Sequence, residues 1–362
     1  MVGIKPLVYD IEAKNSDGVT IYYHFKYIDD RTELAVAYCN YSVYKGSVVI
    51  PKDVYYKNRT LKVTSIGNYA FYGCSRLTSV TIPNSITKIE VDAFSGCSNL
   101  TSVTFPNSVM YIEQGAFHRC SGLTSVTIPN SVTKILRFAF ADCRSLTSIT
   151  ISDSVRSINE GVFMDCSSLT SVTIPNSVTD IEMHAFSGCS SLTSVTIANS
   201  VCTIGDDCFE GCSSLTSITI GDSVWRIGER AFSGCSSLAS VTIPNSVRAI
   251  GANAFLDCSN LASVTIGNSV RTIEFGAFAG CSSLTSVIIP NSITTIGQMA
   301  FSRCSSLTSV TIPNSVTSIG FGAFAKCDSL EKIIVPYGTK DRFVAMLEEE
   351  SARLVVEEVI CN

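Results

Sequence analysis

Cysteine is the residue type whose chemistry and regular spacing stand out in this sequence. Sixteen cysteines occur among 362 residues, and twelve of them follow one another at intervals of 23 residues. The twelve periodic cysteines are Cys74, Cys97, Cys120, Cys143, Cys166, Cys189, Cys212, Cys235, Cys258, Cys281, Cys304 and Cys327. Thiols can form disulfides, bind zinc or act as nucleophiles. Zinc sites use paired spacings such as CxxC, and none occurs here.

The periodic cysteines lie beside Phe and Leu, which is typical of small buried side chains. On strands stacked about 4.8 Å apart, in-register cysteines would have to pinch together to reach the Cβ separation of about 3.8 Å that a disulfide needs. We therefore predict a core ladder of reduced thiols. Four cysteines lie outside the period, and their pairing stays open: Cys39, Cys202, Cys208 and Cys361.

Histidine and carboxylate groups are the other candidates for chemistry. The three histidines, His24, His118 and His184, are too widely spread for a shared site to be expected. Asp206 and Asp207 could suggest a metal, but a solvated pair on the outer face is the preferred interpretation. A catalytic site would need several departures from the repeat on neighbouring units, and we find none. The sequence predicts no enzyme, no cofactor and no metal site.

A repeated segment must position all of these residues. The 23 residues Cys74–Gly96 return up to Lys326 without insertion or deletion. Apolar positions recur as strictly: Leu77, Val80, Ile82, Ile86, Ile89, Ala93 and Phe94 in this repeat. A fixed period of this length predicts a solenoid, whose units bury their faces against neighbours and cannot fold alone. Phe186, in the middle of the array, is accordingly expected inside.

Each repeat is expected to hold one strand and a loosely helical back. Leu77–Ile82 is rich in β-branched residues, which predicts the strand. Pro83 lacks an amide hydrogen and would end the pairing. After a turn at Asn84–Ser85, the segment Asp92–Phe94 is too short for more than one turn of 3₁₀ or α-helix.

The two ends leave the period, so we predict caps. Residues 1–65 would form a β-rich N-terminal cap merging into a degenerate first repeat, 66–338 the solenoid, and 339–362 a C-terminal cap of helix plus strand. Alternation predicts antiparallel strands in the first cap. The predicted elements at the ends are Val19–Phe25, Glu33–Tyr38, a last repeat strand at Lys332–Pro336, a helix in Lys340–Arg353 and a closing strand at Leu354–Ile360.

The phrase LTSVTIP fits the leucine-rich-repeat strand pattern LxxLxL, and with its IG..AF..C phrase the repeat closely resembles the BspA-type leucine-rich repeats of bacterial and protozoan surface proteins. The resemblance covers roughly residues 46–338. It implies a right-handed leucine-rich-repeat solenoid with a parallel β-sheet on the concave face and short helical or 3₁₀ turns on the convex side. It also implies adhesion to host proteins or to other cells. Ser85, Ser108 and Ser131 stand where typical leucine-rich repeats carry an Asn ladder.

Composition limits the partners. The chain is 46% apolar and 16% charged with a formal charge of −5, which suits a soluble folded protein and gives no electrostatic case for nucleic acid. No segment approaches the ~18 apolar residues of a membrane span. The start, MVGIKPLVYDIE, lacks the basic residues and apolar run of a signal peptide. An extracellular or cell-surface location is therefore expected from the resemblance alone.

Candidate partner-binding residues lie at repeat positions where the core of the solenoid does not fix the residue type. The strand alternation predicts a hydroxyl-rich sheet on the inner, concave face of the solenoid, with Ser217, Thr219, Ser240 and Thr242 among its exposed side chains. These residues line a binding face or are simply good exposed strand residues. Trp225, Arg248 and Arg271 share one repeat position on three successive units. Trp and Arg are enriched at interface hot spots, although a surface trio without a partner is the alternative.

Phe275, Met299 and Phe321 place large apolar groups on outward positions of the last repeats. They form a contact patch, or they pack under the C-terminal helix. The main hypothesis is a non-enzymatic cell-surface or secreted binding and adhesion module that recognises a host or cell-surface protein or a glycan. The alternatives are a rigid spacer or stalk without a specific ligand and, more remotely, an ice-binding surface. The sequence names no ligand and no oligomeric state.

Overall fold

The computed structural model describes residues 9–28, 31–38 and 43–359. The chain divides into two compact units, Met1–Ser177 and Val178–Asn362. In each unit, strands of successive repeats pair in parallel and in register, as Ser125 does with Ser148 and Ser240 with Ser263. This arrangement confirms the predicted parallel-strand solenoid.

The N-terminal unit begins with antiparallel strands and passes into parallel ones. Ile11–Lys14 pairs with Thr20–Ile28, which pairs with Arg31–Val36, both antiparallel. Arg31–Val36 then lies parallel to Arg59–Ile66. Asp53–Tyr56 forms an antiparallel hairpin with Arg59–Ile66. Arg59–Ile66 also pairs in parallel with Lys88–Ile89 of the first full repeat, so this strand joins the cap to the solenoid.

Two ladders of short strands follow the repeats, and we call them front strands and side strands. The front strands of the N-terminal unit are Gly46–Val49, Leu77–Thr81, Ser102–Val103, Ser125–Thr127, Ser148–Thr150 and Ser171–Thr173. Its side strands are Lys88–Ile89, Tyr111–Ile112, Lys134–Ile135 and Ser157–Ile158. The front strands of the C-terminal unit are Ser194–Thr196, Ser217–Thr219, Ser240–Thr242, Ser263–Thr265, Ser286–Ile288 and Ser309–Thr311. Its side strands are Asp180–Ile181, Thr203–Ile204, Arg226–Ile227, Ala249–Ile250, Thr272–Ile273, Thr295–Ile296 and Ser318–Ile319.

The expectation of one strand per repeat is therefore wrong, because the side strand is a second one. Its isoleucine points inward and is fully buried, as at Ile227. The backbone of the side strand is extended and lies in register on the same segment of the next repeat, so the two segments pair. Ile204 pairs in this way with Ile227, and Ile227 with Ile250. The remaining back of the repeat consists of isolated turns with i→i−3 hydrogen bonds, such as Ala93 N to Glu90 O at 3.2 Å.

The core of each unit consists of rows of identical side chains. In the C-terminal unit the Phe rings from Phe186 to Phe324 stack with centroids 5.2–5.7 Å apart. Phe186 is fully buried, as the period predicts. Beside this row, each ladder cysteine is buried, and thiols such as that of Cys235 donate a hydrogen bond to a Phe carbonyl of a neighbouring repeat, here Phe209 O at 3.3 Å.

Two residues per repeat adopt a left-handed backbone, which turns the chain back toward the next strand. One position is often glycine, as at Gly211, and the other accepts many side chains, including His184 and Asp207 at φ 56° and 53°. Left-handed backbone costs a non-glycine residue free energy, which the regular stacking of the repeat must offset. Where this second position is not itself glycine, as it is at Gly115 and Gly276, it displays a variable side chain at a fixed place of the repeat.

The C-terminal end differs from the single predicted helix. Two short helices, Lys340–Val344 and Glu349–Ala352, are separated because Glu348 is extended, and its carboxylate accepts a hydrogen bond from the Gly322 amide. Val355–Glu358 then pairs in parallel with Lys332–Pro336. Ile360, the end of the predicted closing strand, lies outside the described residues. None of the described helices has the length and apolarity needed to cross a membrane.

Candidate functional site

The front strands of the C-terminal unit present hydroxyls to solvent. Ser217, Thr219, Ser240 and Thr242 are all exposed, while the residue between each pair points inward. Across residues 9–28, 31–38 and 43–359, none of these four hydroxyls has a hydrogen-bond partner. The preceding threonine differs, because Thr216 Oγ1 donates to Thr193 O at 3.0 Å. The four predicted hydroxyls are therefore free to meet a partner.

Ile288 interrupts this hydroxyl face and was missed by the sequence reasoning. It occupies the position of Thr265 and Thr311 on the neighbouring strands, and 74% of its surface is exposed. An open groove of about 450 Å³ surrounds it, with walls that include Ser286 and Pro313. The departure from Thr at a fixed repeat position was the signal that could have identified Ile288.

Trp225, Arg248 and Arg271 form one row on three adjacent repeats, and we call them the Trp–Arg row. The amide of Arg248 donates to Trp225 O at 3.0 Å, and that of Arg271 donates to Arg248 O at 3.2 Å. All three side chains are exposed, Trp225 by 48%. Among the described residues, neither arginine has an ion-pair partner and neither stacks on the indole ring.

The two arginines of this row border an open groove of about 810 Å³, which we call the arginine groove. Its other walls are Asn268, Ser269 and Ser292, so no acidic residue lines it. The side chains of Asn268 and Ser269 are exposed and have no hydrogen-bond partner within the described part of the chain. The arginine groove therefore offers positive charge together with polar groups that are not engaged elsewhere.

Phe275, Met299 and Phe321 lie at the bend of the last repeats. The amide of Met299 donates to Phe321 O at 3.0 Å, which brings two of them onto adjacent repeats. Phe321 is 70% exposed, and Phe275 and Met299 are also exposed. The C-terminal helices therefore do not cover Phe321, although Glu348 reaches the neighbouring Gly322.

His184 lies beside Asp207 and Glu210. This contact was not predicted from the sequence, where the histidines were compared only with one another. His184 and Asp207 occupy the same position of successive repeats, and their Nε2 and Oδ2 atoms are 3.9 Å apart. One ligand atom from each of the three residues lies within 4.8 Å of the others, a spacing that a metal could use. Arg230 Nε, however, is 3.2 Å from Asp207 Oδ1, and Arg230 Nη2 contacts Glu210. Both carboxylates are therefore already engaged by the guanidinium group of Arg230, with which a metal ion would have to compete.

The environment of Asp207 differs from that of Asp142, which lies at another position of the repeat, with its Oδ2 atom 3.4 Å from His118 Nε2. Burial, followed by the charge of Glu210, raises the pKa of Asp207 above its usual value. Burial also acts to raise the pKa of Asp142, but the hydrogen bond and charge of Arg144, with those of His118, outweigh it and lower the pKa. Asp206 forms a separate ion pair with Arg226 at 2.7 Å.

The thiols do not form a reactive site within the described residues. Burial raises the pKa of the ladder thiols from Cys212 to Cys281, to about 12 for Cys258. A thiol that stays protonated is a poor nucleophile. Cys208 is buried off the ladder, and Cys202 is half-buried. Cys39 and Cys361 lie outside the described residues.

Comparison with known sequences identifies the repeat. The family model described as BspA type Leucine rich repeat region, which contains 6 copies, matches residues 57–170, 156–283 and 226–343. No curated protein matches the chain significantly.

Several solved structures share this architecture. A leucine-rich repeat protein from Bacteroides ovatus is 28% identical, with a TM-score of 0.61 over 94% of this chain and 98% of that one. A leucine rich cell surface protein from Faecalibacterium prausnitzii is 32% identical, with a TM-score of 0.59 over 93% of this chain and 97% of that one. The pneumococcal vaccine antigen PcpA shares the fold at 18% identity and a TM-score of 0.55, over 97% of this chain and 100% of that one.

Proposed function

Because the chain belongs to the BspA-type leucine-rich repeat family, as the match over residues 57–343 shows, we propose that it is a non-enzymatic binding module. It acts at the cell surface or outside the cell, and its partner is a host or cell-surface protein or a glycan. The relative from Faecalibacterium prausnitzii is described as a cell surface protein, which supports this location.

One observation carries the proposal: two side chains that depart from the repeat in the C-terminal unit, Trp225 and Ile288, are large and exposed. Trp225 and Ile288 stand at positions where other repeats carry Thr, and each exposes about half of its surface or more, at 48% and 74%. These side chains contribute little to the core, which the Phe and Cys rows fill. Trp and Arg, the residue types that form the exposed Trp–Arg row, are enriched at binding hot spots.

The hydroxyl face gives the same unit a second contact surface. Its uniform serines and threonines suit many weak contacts, whereas the Trp–Arg row offers a local difference that a partner could recognise. The proposal assigns specificity to the Trp–Arg row and leaves the hydroxyl face a supporting role.

The experiment is a binding screen of the full chain against an array of host matrix proteins and glycans. At least one array member should bind reproducibly above the level of an unrelated folded protein of similar charge. The absence of any such member would favour the alternative of a rigid spacer, for which the uniform rows of the solenoid are sufficient.

A further inference from the structure

We propose that the arginine groove binds an anionic glycan, through a carboxylate or sulfate group on a sugar. The proposal names the ligand class for the Trp–Arg row and rests on the binding function proposed above. The shared chemistry is an oxyanion carried on a polyhydroxylated ring.

Charge is the first reason. Three other arginines of the C-terminal unit have carboxylate partners: Arg226 with Asp206 at 2.7 Å, Arg230 with Asp207 at 3.2 Å, and Arg303 with Asp257 at 3.1 Å. Arg248 and Arg271 have no such partner among the described residues, and no acid lines their groove. Two adjacent uncompensated cations repel each other, and a bound oxyanion would relieve that repulsion.

Spacing is the second reason. Arg248 and Arg271 are on adjacent repeats joined by a backbone hydrogen bond of 3.2 Å, so their Cα atoms lie about one strand spacing, ~4.8 Å, apart. Guanidinium groups recognise carboxylates and other oxyanions through paired charge-assisted hydrogen bonds. Both side chains can therefore reach one oxyanion, or two neighbouring ones on a glycan chain.

The remaining walls favour a sugar over an acidic peptide. Asn268 and Ser269 offer an amide and a hydroxyl that have no partner in the part of the chain that the structure describes, and these groups suit the hydroxyls of a sugar ring. Trp225, in the same row, exposes a flat apolar surface against which the C–H face of the next sugar could stack. A peptide would gain more from apolar pockets for its side chains, and the lining residues of the arginine groove provide none.

The test is a calorimetric titration of the full chain with four probes: a heparin oligosaccharide, an oligogalacturonate, neutral dextran and poly-glutamate. We expect binding of heparin, of oligogalacturonate or of both, and none of dextran. Heparin alone would assign sulfate, and oligogalacturonate alone would assign carboxylate. Binding of poly-glutamate as tight as that of either acidic glycan would overturn the choice of a glycan.

A matched pair of variants separates the arginine groove from general charge. The variant Arg248→Ala/Arg271→Ala removes two positive charges from the groove, and Arg226→Ala/Arg303→Ala removes two ion-paired ones from the same unit. The groove variant should weaken acidic-glycan binding at least tenfold, and the control variant by less than threefold, with both folds verified by circular dichroism. Equal loss in both variants, or no binding of either acidic glycan, would overturn the inference. If neither acidic glycan binds but a protein from the array binds the wild type, the binding function stands and the assignment of a glycan falls.

Discussion

Replacing Phe232 by Ala tests the assignment of the core directly. The Phe232 ring is fully buried and stacks between Phe209 and Phe255, with centroids 5.4 and 5.2 Å away. Removing a buried Phe costs about 3–5 kcal/mol through lost transfer free energy and the cavity left behind. The two stacking contacts place the expected loss in the upper half of that range, since each aromatic pair adds about 0.5–1.5 kcal/mol.

The assay is urea unfolding followed by circular dichroism, with Phe275→Ala as the matched control. Phe275 belongs to the same unit, but 44% of its surface is exposed, and its removal should change the free energy of unfolding by less than about 1 kcal/mol. A Phe232→Ala midpoint indistinguishable from the wild type, or equal losses in the two variants, would refute the placement of the Phe row in the core.

Three further predictions concern thiols, acid stability and the front strands. A thiol reagent applied after denaturation without reductant should label at least the twelve ladder cysteines, which are free and buried in the fold; labelling of fewer than about half would show that they are bridged. The pKa of Asp142 is lowered in the folded state, so its carboxylate stabilises the fold above its unfolded pKa near ~3.9, and this contribution is lost as the pH falls through the lowered value. Asp142→Asn should therefore lower the free energy of unfolding at pH 7 by up to about 1 kcal/mol and leave it unchanged in strong acid. The exposed control Asp153→Asn should leave the free energy of unfolding unchanged at both pH values. Equal losses for Asp142→Asn at pH 7 and in strong acid would contradict the ion-pair account. Replacing Ser217, Thr219, Ser240 and Thr242 together by Lys should leave the melting curve within a few degrees of the wild type, because their side chains are exposed; unfolding would show that this face is buried.

The repeat made most of the fold predictable. A strict period fixes which side chains face inward, so the burial of the Phe and Cys rows follows from the sequence. The side strand escaped prediction because its two residues, as in Arg226–Ile227, are too few to show an alternating pattern. The break between the two C-terminal helices depends on a tertiary contact, from Glu348 to Gly322, which helical spacing does not encode.

The candidate site was predictable in part, for the same reason. Stacking in register places Trp225, Arg248 and Arg271 in one row because they share a repeat position. His184 and Asp207 share a position in the same way, and attention to the 23-residue offset would have brought them together. Among the described residues, Arg248 and Arg271 lack ion-pair partners, in contrast to Arg226 with Asp206. This difference depends on side-chain placement and required the structure.

The central claim is that the chain is a binding module whose specificity lies in the Trp–Arg row of the C-terminal unit. The most direct measurement is the affinity of the strongest partner from the protein and glycan array for three proteins: the wild type, the variant Trp225→Ala/Arg248→Ala/Arg271→Ala, and the front-strand Lys variant. Since truncation of a hot-spot residue costs about 2 kcal/mol or more, the triple Ala variant should bind at least tenfold more weakly with its fold intact, and the front-strand variant should lose less. Full affinity in the triple Ala variant, with loss confined to the front-strand variant, would contradict the account and assign recognition to the hydroxyl face.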